Sequence, residues 1–514
     1  MSRIEQLTRT KGAEGRSPGR WLALSVLVLA VLLVAVDATV LGLATPALSE
    51  DLKPSGTQLL WIGDIYSFVI AGLLVSMGSL GDRIGRKKLL LVGATAFGAV
   101  SVLNAYATSP EMMIVARALL GVAGATLMPS TLALIRNIFH DPKERSLAIG
   151  IWGATASAGA AVGPVVGGAL LQHFWWGSVF LINLPVMIVL VIVGIKLLPE
   201  SKNPVAGPWD LFSVGLSLVG IIGVVYAVKQ VATHGLGWEV WAAAVIGAGA
   251  LYTFVRRQFT LPAPLLDMRL FKHRGFSGAV LADLLTVFGL SGLVFFLSQF
   301  LQLVQGREPL EAGLAELPAA IGAVVTGLVA GKYARKYGVR VIVTGGLAAI
   351  GIALAALTVI HKETGYPLLG AALLIVGLGA GFSFTVTADV ILSSVPKEQA
   401  GSASAVSETA YELGAALGIA LLGSVVTGVY QDFTAPASVS GPVADAAHES
   451  LGGAVEAAKS LDPQTAQQMV GAAQEAFVDG LRLASGVGAA VLLATAVAAW
   501  FLLKGQELQD GIEH

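Results

Sequence analysis

Long apolar runs alternate with short polar segments along almost the whole chain. A helix needs about 20 such residues to cross the ~30 Å hydrocarbon core of a bilayer. Fourteen runs of that kind are read, near 21–45, 59–80, 89–108, 111–134, 146–170, 177–198, 211–231, 238–257, 276–304, 312–332, 339–360, 367–391, 400–430 and 479–503. The pattern predicts an all-α polytopic membrane protein.

The polar segments orient these spans. With the N-terminus inside, 25 of the 32 Lys and Arg residues fall in segments on that side. The positive-inside rule then places both termini, 1–20 and 504–514, in the cytoplasm of a bacterial cell, which suits an even span count. The basic tail (Arg3, Arg9, Lys11, Arg16, Arg20) precedes the first run as it would in a signal peptide. A signal core is only about 7–15 residues long, however, so this run reads as a retained first span. The one long outer segment, 431–478, holds an Ala-rich stretch at 443–460, a break at Asp462-Pro463 and a second stretch to Phe477. It predicts a short extracellular helical hairpin, serving as a lid or a solvated connector.

Composition agrees with the pattern and closes off other chemistry. The 514 residues are 55% hydrophobic and only 13% charged, with mean hydropathy +0.77; soluble chains carry about 25% charged residues. With no Cys there is no disulfide, thiol or iron–sulfur chemistry. No G-x-x-x-x-G-K-[ST] loop is present, and the inner loops are too short for an enzyme domain. The expectation is a non-enzyme with no cofactor, no metal and no nucleic-acid partner, working in the lipid bilayer as a monomer.

A weak repeat divides the spans. Gly78-Ser-Leu-Gly81-Asp82-Arg83-Ile-Gly85 follows the second span, and Gly331-Lys-Tyr-Ala334-Arg335-Lys336-Tyr-Gly338 follows the tenth with the same Gly-to-Gly spacing. The offset of eight spans predicts two six-helix bundles, 21–198 and 276–503, with two inserted spans at 211–257.

Ionisable residues inside spans are costly and mark function. At 1.5 Å per residue, Asp37 lies about 24 Å from the inner end of span 1. Asp64 and Arg117 lie about 8–9 Å from the outer ends of spans 2 and 4. All three fall in one outer layer, where one acid is free to exchange a proton or meet a cation; a static ion-pair network is the other reading. Glu408 and Glu412 share a face of span 13 at i, i+4 beside Tyr411. Asp283 in span 9 is a further candidate, whereas Asp389 and Glu316 lie near span ends and read as interfacial. Aromatics suited to flat organic cations occur at Trp61, Tyr66, Trp152, Phe295, Phe296, Phe300, Phe384 and Tyr411. Gly159-Ala-Ala-Val-Gly163-Pro164-Val-Val-Gly167-Gly168 in span 5 reads as a close-packing face and hinge.

These residues together resemble the major facilitator superfamily, and within it the fourteen-span drug:proton antiporters of the QacA and LfrA types. Gly78–Lys88 is similar to the family's loop between spans 2 and 3. Arg117-Ala-Leu-Leu-Gly121 resembles the span 4 motif, and Gly159–Gly168 matches the span 5 antiporter motif G-x-x-x-G-P-x-x-G-G. Val36-Asp37-Ala-Thr39-Val40 and Trp61-Ile-Gly-Asp64-Ile-Tyr66 resemble the signatures of spans 1 and 2. The resemblance implies efflux of lipophilic cations (quaternary ammonium compounds, cationic dyes, fluoroquinolone-like drugs) in exchange for protons. It implies that Asp37 and Asp64 couple to protons or substrate, with Glu408 and Glu412 matching the acidic stretch of span 13. Arg117 would assist proton transfer, and Asp82 with Gly78, Arg83, Gly85 and Arg86 would form a gating motif that locks the outward-facing state. Relatives that handle divalent cations carry an Asp in span 10, where this chain reads Ala320-Ile-Gly322-Ala323-Val324; monovalent cations are therefore expected. Two alternatives stand beside this reading: an exporter of a lipid or cell-envelope intermediate on the same fold, and a non-transporting membrane sensor.

Overall fold

In a computed structural model, residues 19–54, 56–203, 210–234, 237–262, 264–436 and 438–506 are described. Helical side chains are described at most positions, but Asp64 and Pro164 are among the exceptions. The basic residues Arg3, Arg9, Lys11 and Arg16 and most of the C-terminal tail lie outside the described residues.

The first half comprises α1 (Gly19–Leu52), α2 (Gly56–Ile84), α3 (Arg86–Ala105), α4 (Pro110–Ile138), α5 (Pro142–His173) and α6 (Asn183–Leu197), the last preceded by a one-turn helix Ser178–Leu181. Next come α7 (Leu211–His234) and α8 (Trp238–Thr260). The second half contains α9 (Arg274–Gln299), which continues into a π turn at Phe300–Val304, then α10 (Pro309–Tyr337), α11 (Val339–Ala356), α12 (Tyr366–Ser393) and α13 (Ala400–Tyr430). Two short helices, α14 (Pro442–Glu449) and α15 (Leu451–Ala458), lead to α16 (Pro463–Leu502).

Among the described residues, thirteen helices are long and apolar enough to cross a membrane. The expected span at 146–170 lies within α5, which is 32 residues long and packs along α1 and α10. Helix starts are written locally. Ser109, Asp141 and Asp462 each cap a helix with a side-chain oxygen, and each is followed by proline at the first helical position. The outer segment differs from a simple hairpin. Ser450 caps α15 and separates it from α14, while the second stretch runs without a break into the last span as one 40-residue helix. No proline interrupts it after Pro463, and at 1.5 Å per residue it is about 60 Å long, well beyond the hydrocarbon core.

Within the first half α1 packs on α5 and α6, and α4 on α2 and α3; within the second, α12 packs on α10 and α11, and α9 on α13. The two halves meet along α5 against α10 and α12, and along α13 against α2 and α4. The pair α7–α8 packs beside α2 and α13, with Ser217 Oγ donating to the Gly72 carbonyl (3.3 Å). At its entry Asp210 accepts from Arg257 Nε (2.7 Å) and Ser213 Oγ (2.6 Å), and these bonds, Arg257 first, hold its carboxyl down at about 2.

Candidate transport site

Asp37 and Arg117, placed in one layer by counting residues, are in contact. Arg117 Nη1 donates to Asp37 Oδ2 at 3.2 Å, and both side chains are buried. The other contacts of Arg117 among the described residues are longer: Nε reaches the Ile62 carbonyl at 3.4 Å, and the guanidinium lies 4.6 Å over the Tyr66 ring. The shorter bond to Asp37 comes from Asn183 on α6, whose Nδ2 donates to Asp37 Oδ1 at 2.9 Å and to Ser101 Oγ at 3.2 Å. Asn183 and Ser101 escaped the sequence reading. The available signal was an amide followed by Pro185 inside the apolar run 177–198.

Asn183→Ala removes a donor that a carboxylate uses better than a carboxylic acid does. A hydrogen bond to a charged group is worth about 1.5–3 kcal/mol, or roughly one to two pH units. The half-maximal pH of transport is therefore expected to move by about one unit toward alkaline, read from a pH profile of flux in proteoliposomes. An unmoved profile would show that the amide does not support the charge on Asp37.

The antiporter-type glycines flank this site. A Cβ on Gly159 would sit 2.8 Å from Ala35 Cβ, and one on Gly163 only 1.9 Å from Thr39 Oγ1. Both positions press α5 against the turn of α1 that carries Asp37. Gly167 is buried and Gly168 faces open space. Thus Gly159 and Gly163 close-pack α5 within the first half, and the contacts of α5 with the second half lie nearer its start, Gly150 against Gly327 among them.

The second half brings its own acids. Asp283 on α9 is fully buried and accepts from Ser407 Oγ (2.7 Å) and Thr387 Oγ1 (3.2 Å). Glu408 is buried on α13, and the partly buried Glu412 lies within electrostatic reach of the Tyr66 phenol, as does Asp37. Tyr66 is itself buried, and its hydroxyl has no hydrogen-bond partner among the described residues.

An aromatic chain crosses between the halves. Trp152 on α5 stacks on Phe384 of α12 (centroids 6.1 Å apart), and Phe384 meets Tyr411 of α13 edge-on at 5.9 Å. Trp152 Nε1 donates to Thr131 Oγ1 at 3.0 Å. Tyr411 is 38% exposed and closes the row. The other aromatic candidates lie apart from it. Trp61 stacks on Tyr226 of α7 at 6.1 Å; Phe296 meets Phe295 edge-on at 5.0 Å, and Phe300 is fully buried in the core. The side chain of Asp64 lies outside the described residues.

At the basic end the halves are sealed twice. Asp82 Oδ1 accepts from Arg86 Nε (2.9 Å) and Nη2 (2.6 Å) and from the Gly401 amide (2.9 Å). Its Oδ2 accepts from the Ser402 amide and hydroxyl, both at 3.0 Å. A carboxylate from α2 thus caps the N-terminus of α13, where unpaired amides and the helix dipole favour negative charge. Arg86 Nη2 also donates to the carbonyls of Lys397 and Glu398, while Arg83 Nε donates to Ser79 Oγ at 3.3 Å within α2.

The second seal is built from α5, α10 and α12. Arg145 Nε donates to Asp389 Oδ1 (2.9 Å), Ser146 Oγ to Asp389 Oδ2 (2.5 Å), and Arg335 Nη1 to Ser146 Oγ (3.3 Å). Asp389 was expected at the interface with water and is instead 1% exposed, because the two halves close over it. The repeat noticed in the sequence marks both seals. Gly78 lies where α2 crosses α13, its Cβ position 2.4 Å from the Gly401 carbonyl; Gly331 lies where α10 crosses α5, 2.2 Å from Ser146 Cβ. The closing glycines, Gly85 and Gly338, have φ of 112° and 90°, which side-chain-bearing residues rarely adopt.

Breaking a buried pair by removing one partner typically costs about 3–5 kcal/mol. Arg145→Ala is therefore expected to destabilise the closed form by about 3 kcal/mol, and adding Asp389→Ala to recover part of that loss. Thermal unfolding in detergent reads both; additive losses would show that the two groups are not coupled.

Comparison with known proteins agrees with this construction. The family model described as Major Facilitator Superfamily matches residues 27–419. The chain is 46% identical over 483 residues to the multidrug efflux pump LfrA of Mycolicibacterium smegmatis, covering 94% of this chain and 96% of the relative. It is 37% identical over 486 residues to the methyl viologen resistance protein SmvA of Salmonella typhimurium, covering 94% and 98%. In fold it is similar to the human organic anion transporter MFSD10 (TETRAN), with TM-score 0.61 at 14% identity over 95% of this chain and 100% of that one. A multi-pass helical chain with this match, and with relatives aligned over nearly its whole length, belongs to the major facilitator superfamily of membrane transporters.

Proposed function

We propose that this protein is a proton-coupled multidrug efflux antiporter of the bacterial cytoplasmic membrane, exporting lipophilic cations. The observations that carry the reading are the buried Asp37–Arg117 pair in the first half and an aromatic row, Trp152–Phe384–Tyr411, that runs from one half to the other. Asp37 can hold a proton or remain charged against Arg117, and the row offers ring faces worth about 2 kcal/mol to a desolvated cation. Similarity to a multidrug efflux pump and to a methyl viologen resistance protein, each over more than nine-tenths of the chain, supports the same substrate class.

With both termini in the cytoplasm, the two seals lie on the inner side, and the structure is closed inward. Protonation of Asp37 from outside weakens binding of a cation, which leaves; return of the proton to the cytoplasm restores the charge and reloads the site. A ligand shifts such an equilibrium only by its differential affinity for the two states, so proton and cation must compete for the same charge.

The substrate range is drawn more widely than charge in span 10 suggests. Ala320–Val324 carries no acid, but a relative at 37% identity takes its name from methyl viologen, a planar dication. Monovalent and divalent aromatic cations are both included. The test is transport in proteoliposomes under an imposed pH gradient, with ethidium and methyl viologen as probes and fluorescent phospholipid flipping measured in parallel. Gradient-driven movement of the cations is expected; lipid flipping without cation flux would replace this reading with lipid export.

A further inference from the structure

We infer that the inserted pair α7–α8 is a sliding seal: it travels with the first half, lies across the seam between α2 and α13, and slips over α13 when the two halves rock. The inference rests on the transport reading for the rocking itself, and it gives a function to the two spans that reading leaves unused. Of the two seams between the halves, this one carries the acids. Asp64 and Asp82 lie on α2 and Glu408 and Glu412 on α13, whereas the other seam has no ionisable residue between 146 and 172 on α5 or between 317 and 331 on α10. Ionisable groups are costly against hydrocarbon, so the acid-bearing seam is the one that needs a cover.

The grip on the first half is long and involves backbone. α7 runs antiparallel to α2 and follows it from end to end. Trp61 stacks on Tyr226 toward the outer side, Ser217 Oγ donates to the Gly72 carbonyl at mid-depth, and Asp210 lies within electrostatic reach of Arg83 at the inner end. These points span roughly 33 Å of α2 at 1.5 Å per residue, the thickness of the hydrocarbon core. At Gly72 the helices touch: a Cβ there would sit 2.6 Å from Leu218 Cδ1 and 3.2 Å from its Cα. The pair is itself one body, because a Cβ on Gly223 would sit 2.8 Å from Gly247 Cα and Gln258 Nε2 donates to Ser213 Oγ at 2.9 Å. A contact of this length does not come apart when one end of the molecule opens.

The described contact with α13 is shorter and is made by side chains: Leu413 and Ala416 pack on the cluster that holds Phe68, Ile221 and Val225. At the same depth the backbone of α13 is pressed on α9 of its own half, where a Cβ on Gly414 would meet the Leu284 carbonyl and one on Gly418 the Phe288 carbonyl. Toward the inner end a polar cavity of about 400 Å³ has Gln258 and Phe259 of α8 and Gln399 and Ser402 of the α13 entry in its walls, which leaves the pair room to move against α13. The chain passes from the pair to the second half between Thr260 and Arg274, through a segment that holds a 3-10 turn, Met268–Lys272, and this segment is the hinge.

Crosslinks separate the two faces of α7, and the absence of cysteine from the chain leaves no background. Gly72→Cys with Leu218→Cys ties α7 to α2 by a disulfide. Val225→Cys with Leu413→Cys ties α7 to α13 through a short, reducible bis-methanethiosulfonate. In proteoliposomes under a pH gradient, ethidium efflux is expected to survive the first tie and to be lost with the second, returning when the second is reduced. Efflux lost with the first tie and restored by reduction overturns the inference, and so does undiminished efflux with the second tie in place.

Distances read the same motion without a transport assay. Spin labels are placed at cysteines replacing three exposed outer residues: Glu111 of the first half, Glu239 at the start of α8 and Glu363 of the second half. Between protein at acid pH and protein with ethidium at alkaline pH, the distance between positions 239 and 111 is expected to hold, while those from 239 to 363 and from 111 to 363 shift. A shift between 239 and 111 with a constant distance to 363 overturns the inference and leaves the rocking intact. No change between 111 and 363 overturns the rocking, and with it both the transport reading and the seal.

Discussion

Asp37→Asn is expected to abolish pH-gradient-driven ethidium efflux while the protein is still made and inserted. Asparagine keeps the shape, and its one carbonyl oxygen can still accept from Arg117 while its amide nitrogen faces Asn183, so the layer around it loses charge and one acceptor rather than packing. What disappears is the choice between a proton and a charge. A coupling free energy of about 3 kcal/mol corresponds to roughly 100-fold in exchange, and efflux should fall by about that factor. Downhill cation exchange without a pH gradient is expected to survive better than gradient-driven efflux, because binding to the aromatic row does not need the proton. Loss of both to the same degree would make Asp37 a structural member of the fold.

The second large effect is expected at a position that carries no charge itself. At Gly150 a Cβ would lie 2.2 Å from the Gly327 carbonyl, where α5 crosses α10 at the basic end. Gly150→Leu leaves no room for that crossing. Overpacking costs about 1–3 kcal/mol, and here the cost falls only on the state in which the halves touch. The equilibrium is expected to move toward the form open at this end by about 10- to 100-fold, with efflux falling about 10-fold or more. The chain has no cysteine, so cysteines placed at the exposed Lys143 and Lys336 can carry spin labels without background. A longer and broader distance between them in Gly150→Leu is the expected result; an unchanged distance would mean that the crossing tolerates the side chain by local adjustment.

Much of this was legible in the sequence because membrane spans are written in a simple code of length and hydrophobicity. Thirteen of the fourteen expected spans reappear as helices long and apolar enough to cross. Counting residues from span ends was enough to place Asp37 beside Arg117, since a straight helix converts sequence position to depth. The repeat of glycines also carried more than expected, marking two inter-half crossings, at Gly78 and Gly331, and two positive-φ turns, at Gly85 and Gly338.

What was not legible depends on azimuth and on the docking of the halves. Depth does not say which way a side chain faces, so Trp61 could not be told from Trp152, although one packs on α7 and the other on Phe384. Asp389 looked interfacial because it lies near a span end, and only the closure of Arg145 and Ser146 over it makes it buried. Asn183 was hidden because a neutral amide gives no charge signal. In α16 the helix continues through a stretch read as a separate arm, since Asp462-Pro463 starts a helix and nothing after it stops one.

The measurement that bears most directly on proton–cation exchange is proton release from the detergent-purified protein when a cation binds. In a weakly buffered solution near neutral pH, addition of ethidium to the wild type should acidify the medium. The same addition to Asp37→Asn should still show binding by ethidium fluorescence but release fewer protons. Wild-type binding with no proton release, or equal release from wild type and Asp37→Asn, would contradict exchange at Asp37.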